Sequence, residues 1–304
     1  MRETRVTVVV RTHQRPAELR RTLAHLCRLP ERPEIVVVDN GSCPRNARAI
    51  REAAAEAGVG LLRLSHHVGA AACNLAVAHV RTPYVAFCDD DTWWADGALE
   101  RAVSIMDTCP DVGLVNGRVL VGPEQREAKV CRRMASSPLE RAGLPGTSLL
   151  SFLPGAVVMR MAAFREAGGY EPRLGLGAEA VLMGLDLATI GWHMLYAPDV
   201  VVHHHPSPAC RRPERQVILA RNRLWVAVLR LPWGDVLREA RQILRQAQVD
   251  GVAGRVLWRA AAGLAWPLLN RQVVPVDVIR LYRGWHAEPE RGHAICRGRM
   301  AGMH

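Results

Sequence analysis

The chain has 304 residues, is 49% hydrophobic and 23% charged, and carries a formal net charge of +11. That composition suits one large globular domain or two modest ones with sizeable cores. The basic residues are almost all arginine, with Lys129 the sole lysine, and they are spread evenly without a dense tract interleaved with aromatics, which argues against a nucleic-acid binder.

Arg5 to Val10 is a β-branched run and predicts a strand. Pro16 then suits the first turn of a helix, along which Leu19, Leu23 and Leu26 repeat at helical spacing. Glu34 to Val38 predicts a second strand, closed by the turn tetrad Asp39-Asn40-Gly41-Ser42. Pro44 to Ala57 is alanine-rich and helical. Gly60 to Leu64 reads as a weaker strand, Gly69 to Val80 as a helix, Tyr84 to Cys88 as a fourth strand and Gly97 to Met106 as a helix. Four strand–helix alternations in about ninety residues predict a parallel sheet with right-handed crossovers, covered on both faces. The chain lacks a G-x-G-x-x-G fingerprint and a Walker loop, so nicotinamide and P-loop chemistry are disfavoured.

Gly113 to Val121 predicts another strand, and Glu124 to Gly146 a polar, loop-rich insertion. Ser151 to Met159 is strand-like, Ala162 to Ala167 a short helix, Glu179 to Ile190 a helix, and His193 to His204 one or two strands. Beyond Pro206 the composition shifts to Arg, Leu, Trp and Ala, and Pro213 to the end reads as a separate helical region. Eight cysteines form no C-x-x-C pair, and several fall inside predicted helices or strands, where they read as small buried hydrophobes, which fits a reducing cytoplasm. Met1 to Val10 does not read as a signal peptide, and no uncharged run is long enough to span a bilayer.

The segment with the strongest chemistry is Val85-Ala86-Phe87-Cys88-Asp89-Asp90-Asp91, an apolar run that ends in three carboxylates. Acids held where a buried strand leaves the core suit a divalent cation, which takes oxygen ligands and bridges to phosphate. The plainer reading is an acidic turn before the next helix. Three more strand-end loops carry unusual residues: Arg11-Thr12-His13-Gln14-Arg15-Pro16, Asp39-Asn40-Gly41-Ser42, and His66-His67-Val68-Gly69 with Asn74 beyond it.

Taken together, these ordered motifs resemble the family-two glycosyltransferases with the GT-A fold, over roughly residues 5–225. The resemblance implies an α/β architecture: a Rossmann-like, mostly parallel sheet flanked by helices, with a C-terminal helical region. It divides the chain into a catalytic domain over 1–212 (a nucleotide-sugar half to about 121, an acceptor half from about 122) and helices over 213–304. It also implies metal-dependent, inverting transfer of a sugar from a nucleoside-diphosphate donor to an unidentified acceptor hydroxyl.

By the same resemblance Thr12, Arg15, Asp39, Asn40, Gly69, Asn74, Asp89 and Asp90 contact the sugar nucleotide. Asp89 and Asp91 hold Mn2+ or Mg2+, joined by a histidine from His203-His204-His205, of which His204 fits best. Gly155 and Trp94 lie on the acceptor side, and Arg221 or Arg223 clamps the diphosphate. The pattern departs at the base: Glu179 matches the first acid of the family's Glu-Asp pair, but Ala180 replaces the second. Glu179 is then the general base, with Asp186 a distant second choice.

Two alternatives stay open. One is a catalytically degenerate sugar-nucleotide-binding partner protein, favoured by Ala180; the other is a sugar-phosphate nucleotidyltransferase, disfavoured because Thr12 to Pro16 lacks the glycine-rich basic loop of that class. Val252 to Leu269 reads as an amphipathic helix that packs on the catalytic domain or lies on an anionic membrane. The localisation implied is cytoplasmic, with peripheral contact at the inner face of the membrane as a minority reading.

Overall fold

The structure is a computed structural model and describes residues 4–140, 143–206 and 213–287. Within these residues one sheet contains β1 (Val6–Thr12), β2 (Glu34–Asp39), β3 (Gly60–Arg63), β4 (Tyr84–Asp89), β5 (Thr92–Trp94), β6 (Val112–Val121), β7 (Arg126–Glu127), β8 (Thr147–Ser148), β9 (Ala156–Arg160) and β10 (His193–His204). Its order is β3-β2-β1-β4-β9-β6-β10-β5, with β7 on β6 and β8 on β10. β1 runs parallel to β2 and β4, β2 to β3, and β6 to β10. β9 enters antiparallel between β4 and β6. Val8, Val9 and Val10 of β1 are all buried, so both faces of that strand are covered and the run shows no polar alternation.

The helices of the first half are α1 (Pro16–Leu26), α2 (Pro44–Glu56), α3 (Ala72–Val77) and α4 (Ala98–Thr108). α1 opens on Pro16 and buries Leu19, Leu23 and Leu26, as the spacing requires. The second half adds α5 (Lys129–Ala135), α6 (Met161–Glu166) and α7 (Glu179–Thr189).

Several boundaries differ from the sequence expectation. The insertion over 124–146 is not all loop: it holds β7 and α5. Cys131 and Met134 form the buried side of α5, while basic residues around them hide the periodicity. The strand expected from Ser151 begins only at Ala156, because the buried Asn116 accepts a hydrogen bond from Leu153 N at 2.6 Å and holds that approach out of the ladder. The helix expected over Gly69–Val80 opens as a 3-10 turn over Gly69–Ala71 and ends at Val77. β5 gave no sequence signal; it is three residues long.

Beyond the sheet lie α8 (Pro213–Arg230), α9 (Trp233–Val249), α10 (Ala253–Ala262), α11 (Ala265–Leu269) and α12 (Val276–Trp285). Residues 288–304 of the expected helical region, with Cys296, and also Cys210, fall outside the described residues. The segment 252–269 is two helices, not one. It breaks at Gly263, where a Cβ would come within 2.3 Å of the Trp225 ring.

Val226 to Leu229 of α8 and Val278, Ile279, Tyr282 and Trp285 of α12 belong to the same buried cluster as the sheet. A smaller cluster of Val217, Ile243, Ala247, Val252 and Val256 joins α8, α9 and α10. Two buried acids lock these helices. Asp235 accepts from Arg238 and Arg283, and Glu239 accepts from Tyr282 Oη at 2.9 Å and Arg223 at 3.0 Å.

Candidate active site

The carboxyl ends of β1, β2 and β4 lie side by side, so their loops meet at one edge of the sheet, where ligands of open α/β sheets collect. Register decides which side chains touch. Arg11 of β1 is the ladder partner of Asp89 in β4, and its Nη2 donates to Asp89 Oδ1 at 2.5 Å. Asp90 is buried and accepts from Thr12 Oγ1 at 2.9 Å and Arg15 Nη1 at 3.3 Å. Burial pushes its carboxyl up to about 7, against the pull of Arg15.

Asp91 accepts from Arg15 at 3.0 Å and lies 3.5 Å from His204 Nε2. This last meeting follows from topology. β5 leaves the acidic turn and pairs antiparallel with β10, setting Thr92 opposite His204. His203 and His205 point to the other side of β10 and pack around Trp93. Burial of Asp91 opposes ionisation, but His204 and Arg15 outweigh it and hold the carboxyl below its ordinary value.

At the end of β2, Asp39 is fully buried. Its Oδ1 accepts from Ser42 N at 3.0 Å, which closes the turn. Its Oδ2 has no hydrogen-bond partner and lies 3.3 Å from Arg63 Nε. Asn40 faces the neighbouring loop: Nδ2 donates to Gly69 O and Oδ1 accepts from Val68 N, both at 2.9 Å. It braces one loop against another, using both ends of its amide. Asn74 does likewise, bonding Tyr170 N and O at 3.0 and 2.8 Å. These two residues, expected as nucleotide contacts, act within the fold as ties between loops. Gly69 has φ +65°, and a Cβ there would fall 1.2 Å from Gly175 O. Only glycine permits that crossing of two backbones.

Residues 171–178 lead to Glu179, the first residue of α7. Ala178 just before it has φ +65°, a left-handed conformation that costs a non-glycine residue energy and is held by its surroundings. Burial raises the Glu179 carboxyl above the usual glutamate value, and Arg11 and Asp89 both act on it electrostatically. Glu179 Oε2 is buried without a hydrogen-bond partner. Ala180 next to it is 8% exposed and belongs to the buried cluster. Gly155 lies against the acids: a Cβ there would come within 2.6 Å of Asp89 Oδ2.

Four expected positions are corrected. Trp94 is 1% exposed and belongs to the core, so its ring is closed to an acceptor. Arg221 is turned away from the acidic turn: it bonds Asn222 Oδ1 at 2.6 Å and Leu174 O at 3.3 Å and lies 4.3 Å over Trp225. Asp186 forms a two-pronged ion pair with Arg230, at 2.5 and 3.2 Å, and serves as a link between α7 and α8. Arg223, the other expected diphosphate clamp, is held by Glu239.

Two residues that sequence reasoning passed over matter here. Arg11 was visible in the first motif, but its role depends on strand pairing. Asn222 sits fully buried on α8, and its Nδ2 donates to the carbonyls of Leu174, Leu176 and Gly177 at 2.6, 2.7 and 3.0 Å. One amide thus gathers the loop that presents Glu179. Asn222→Ala is expected to cost about 1–3 kcal/mol, since it leaves buried carbonyls unpaired. A urea melt measures this; an unchanged midpoint would deny the clamp.

No three His, Cys, Asp or Glu side chains gather as a metal-holding group among the described residues. Asp91 and His204 do form a carboxylate–imidazole pair of a kind that Mn2+ accepts, while Asp89 Oδ1 accepts from Arg11.

The profile of glycosyl transferase family 2 matches residues 7–168, more than half of the chain. The chain belongs to glycosyl transferase family 2. Among relatives, it is similar to the pre-mycofactocin glycosyltransferase of Mycobacterium tuberculosis, at 32% identity over 206 residues. The match covers 66% of this chain but only 42% of that protein. It is also similar to the N-acetylglucosaminyl-diphospho-decaprenol L-rhamnosyltransferase of the same organism, at 24% identity over 242 residues, 67% of this chain and 77% of that one.

Among solved structures, the mannosyltransferase PcManGT of Pyrobaculum calidifontis, in complex with GDP-Man and Mn2+, superposes with a TM-score of 0.56 at 21% identity. That match covers 91% of this chain and 78% of that one. S. aureus TarS 1-349 in complex with UDP-GlcNAc gives 0.57 at 14% identity, over 86% and 73% of the two chains. The sheet and its flanking helices are thus those of the GT-A glycosyltransferases, as the motif order implied.

Proposed function

We propose that this family-2 protein transfers a glycosyl group from a nucleoside-diphosphate sugar to an acceptor hydroxyl, with inversion at the anomeric carbon and with Mn2+ or Mg2+ bound. The observation that carries the reading is the Glu179 carboxylate, raised in pKa and unpaired at Oε2, at the head of a strained loop and within the field of Asp89. An orphaned buried oxygen costs energy unless a ligand group completes it. Asp39 Oδ2, buried at the end of β2 with the Arg63 guanidinium 3.3 Å away and no hydrogen bond, supports recognition of the base there.

In this mechanism the acceptor hydroxyl gives its proton to Glu179 as its oxygen bonds to the anomeric carbon. The bond from that carbon to the diphosphate breaks, and the nucleoside diphosphate leaves with the electron pair. Arg11 holds Asp89 in place, and Gly155 leaves room beside it for the donor. Asp91 and His204 would hold the cation, whose charge offsets that of the departing diphosphate. Arg15 adds a second positive group next to the same acids.

The degenerate-binder alternative rests on Ala180; against it stands Glu179, whose buried Oε2 lacks a hydrogen-bond partner that an acceptor hydroxyl would supply. The C-terminal helices α10 and α11 are read as resting on a membrane at whose surface the protein works. Incubation with UDP-, GDP- and TDP-sugars and Mn2+, followed for free nucleoside diphosphate, tests the transferase reading. Release from at least one donor is expected; tight nucleotide binding with no release from any donor or acceptor would instead mark a binding protein.

A further inference from the structure

The C-terminal helices leave apolar side chains bare. α10 buries Val256 and Ala260, while Leu257 and Trp258 beside them are 52% and 74% exposed, and Leu269 of α11 is 85% exposed. Ala261, Ala262 and Ala265 continue the same exposed side, and residues 260–269 contain no charged side chain. No helix among the described residues is long and apolar enough to cross a membrane.

This stripe runs into a cavity of about 310 Å³ whose lining includes Leu269, Trp266, three arginines (Arg173, Arg230 and Arg271) and one acid, Glu171, which accepts from Arg173 N at 3.0 Å. Arg230 is neutralised by Asp186. Arg173 lies 5.2 Å over the Trp266 ring, and Arg271 lies 4.2 Å over Trp233 and donates to the carbonyls of Val228 and Leu231. Neither Arg173 nor Arg271 forms an ion pair among the described residues. Leu182 of α7, three residues past Glu179, forms another part of the wall.

We propose that the α10–α11 stripe and the adjoining Arg173–Arg271 cavity form a docking face for an anionic phospholipid bilayer. The inference gives residues and a lipid class to the membrane contact proposed above, and it is independent of the transfer chemistry. A bare tryptophan and leucines beside basic groups suit the boundary between headgroups and acyl chains, where apolar side chains insert and cations stay at the surface. Guanidinium groups match phosphate geometry. A second copy of the chain is a poorer occupant. A two-fold contact places the same patch on both sides, bringing like-charged arginines of two strongly basic chains together.

Co-sedimentation of the full chain with phosphatidylglycerol–phosphatidylcholine vesicles, and with pure phosphatidylcholine vesicles, tests it. Binding to the anionic vesicles and not to the neutral ones is expected. Trp258→Glu combined with Leu269→Glu should weaken that binding at least tenfold, roughly, by taking two inserted side chains away. Arg173→Gln should weaken it about fivefold. The thermal midpoint should not change in the double variant, because both side chains are exposed, so a loss of binding is not a loss of fold. No binding to anionic vesicles, or equal binding by parent and double variant, would overturn the proposal. A dimer in sedimentation equilibrium that the double variant abolishes, without vesicle binding by the parent, would assign the face to a second copy instead. None of these readouts needs a sugar donor, so they fail or succeed separately from nucleotide release.

Discussion

Glu179→Gln is expected to lower kcat by roughly a hundred- to ten-thousandfold, the range typical of a lost general base, with little change in donor KM. The amide keeps the shape of the side chain but cannot take the acceptor proton. Two further readouts separate a chemical role from a structural one. Activity of the parent should rise with pH through a value above the ordinary glutamate range, since burial raises this carboxyl; the residual activity of the variant should lack that limb.

Stability carries the opposite sign. A carboxyl with a raised folded-state pKa binds its proton more tightly folded than unfolded, so stability falls as pH climbs from the unfolded value through the folded one. At neutral pH the ionised Glu179 therefore costs stability, and the glutamine variant should melt at a higher temperature than the parent. Near-parent turnover in the variant would remove Glu179 from the mechanism. Asp186 would not inherit the role, because Arg230 occupies both of its oxygens.

The nucleotide-side half of the fold was legible because its strands are short, mostly apolar and separated by helices with clear starts, as at Pro16 and Pro44. The carboxylate turn was legible for the same reason: three acids after Cys88 cannot continue a buried strand. What the residues form once folded was less readable, since it depends on pairing between distant segments. Arg11 and Asp89 are 78 residues apart and meet only because β1 and β4 are in register. Asn40 and Asn74 look the same in sequence whether they hold a ligand or a loop, and their amides bond Gly69, Val68 and Tyr170. Trp94 follows Trp93 directly, yet alternation along β5 sends one ring into the core and the other among histidines. Parity along a strand did carry information for the histidine run, where 204 shares a side with the buried Val200 and Val202. The five short or broken elements β5, β7, β8, α5 and α11 gave little signal, being too short for a period to show.

Asp91→Asn is expected to abolish the part of nucleoside-diphosphate stabilisation that requires Mn2+ or Mg2+, and to cut transfer by about a hundred- to a thousandfold. That scale corresponds to the several kcal/mol a bound cation supplies to developing negative charge. The three acids differ in their surroundings. Asp90 is enclosed by Thr12 and Arg15, with a carboxyl pushed up by burial, and Asp89 is engaged by Arg11. Asp91 is held below its ordinary carboxyl range and lies beside an imidazole.

Thermal shift with UDP, GDP and TDP, each with and without Mn2+, reads the effect directly and needs no acceptor. His204→Ala should lose most of the same metal-dependent shift, since it removes the second donor. Asp89→Asn should keep a metal-dependent shift while losing activity, because its carboxylate holds Arg11 in place. Equal metal-dependent shifts in Asp91→Asn and the parent would mean that the cation, where one binds, is held elsewhere. In that case the acidic turn is a structural cap on β4, with Arg15 and His204 as its counter-charges.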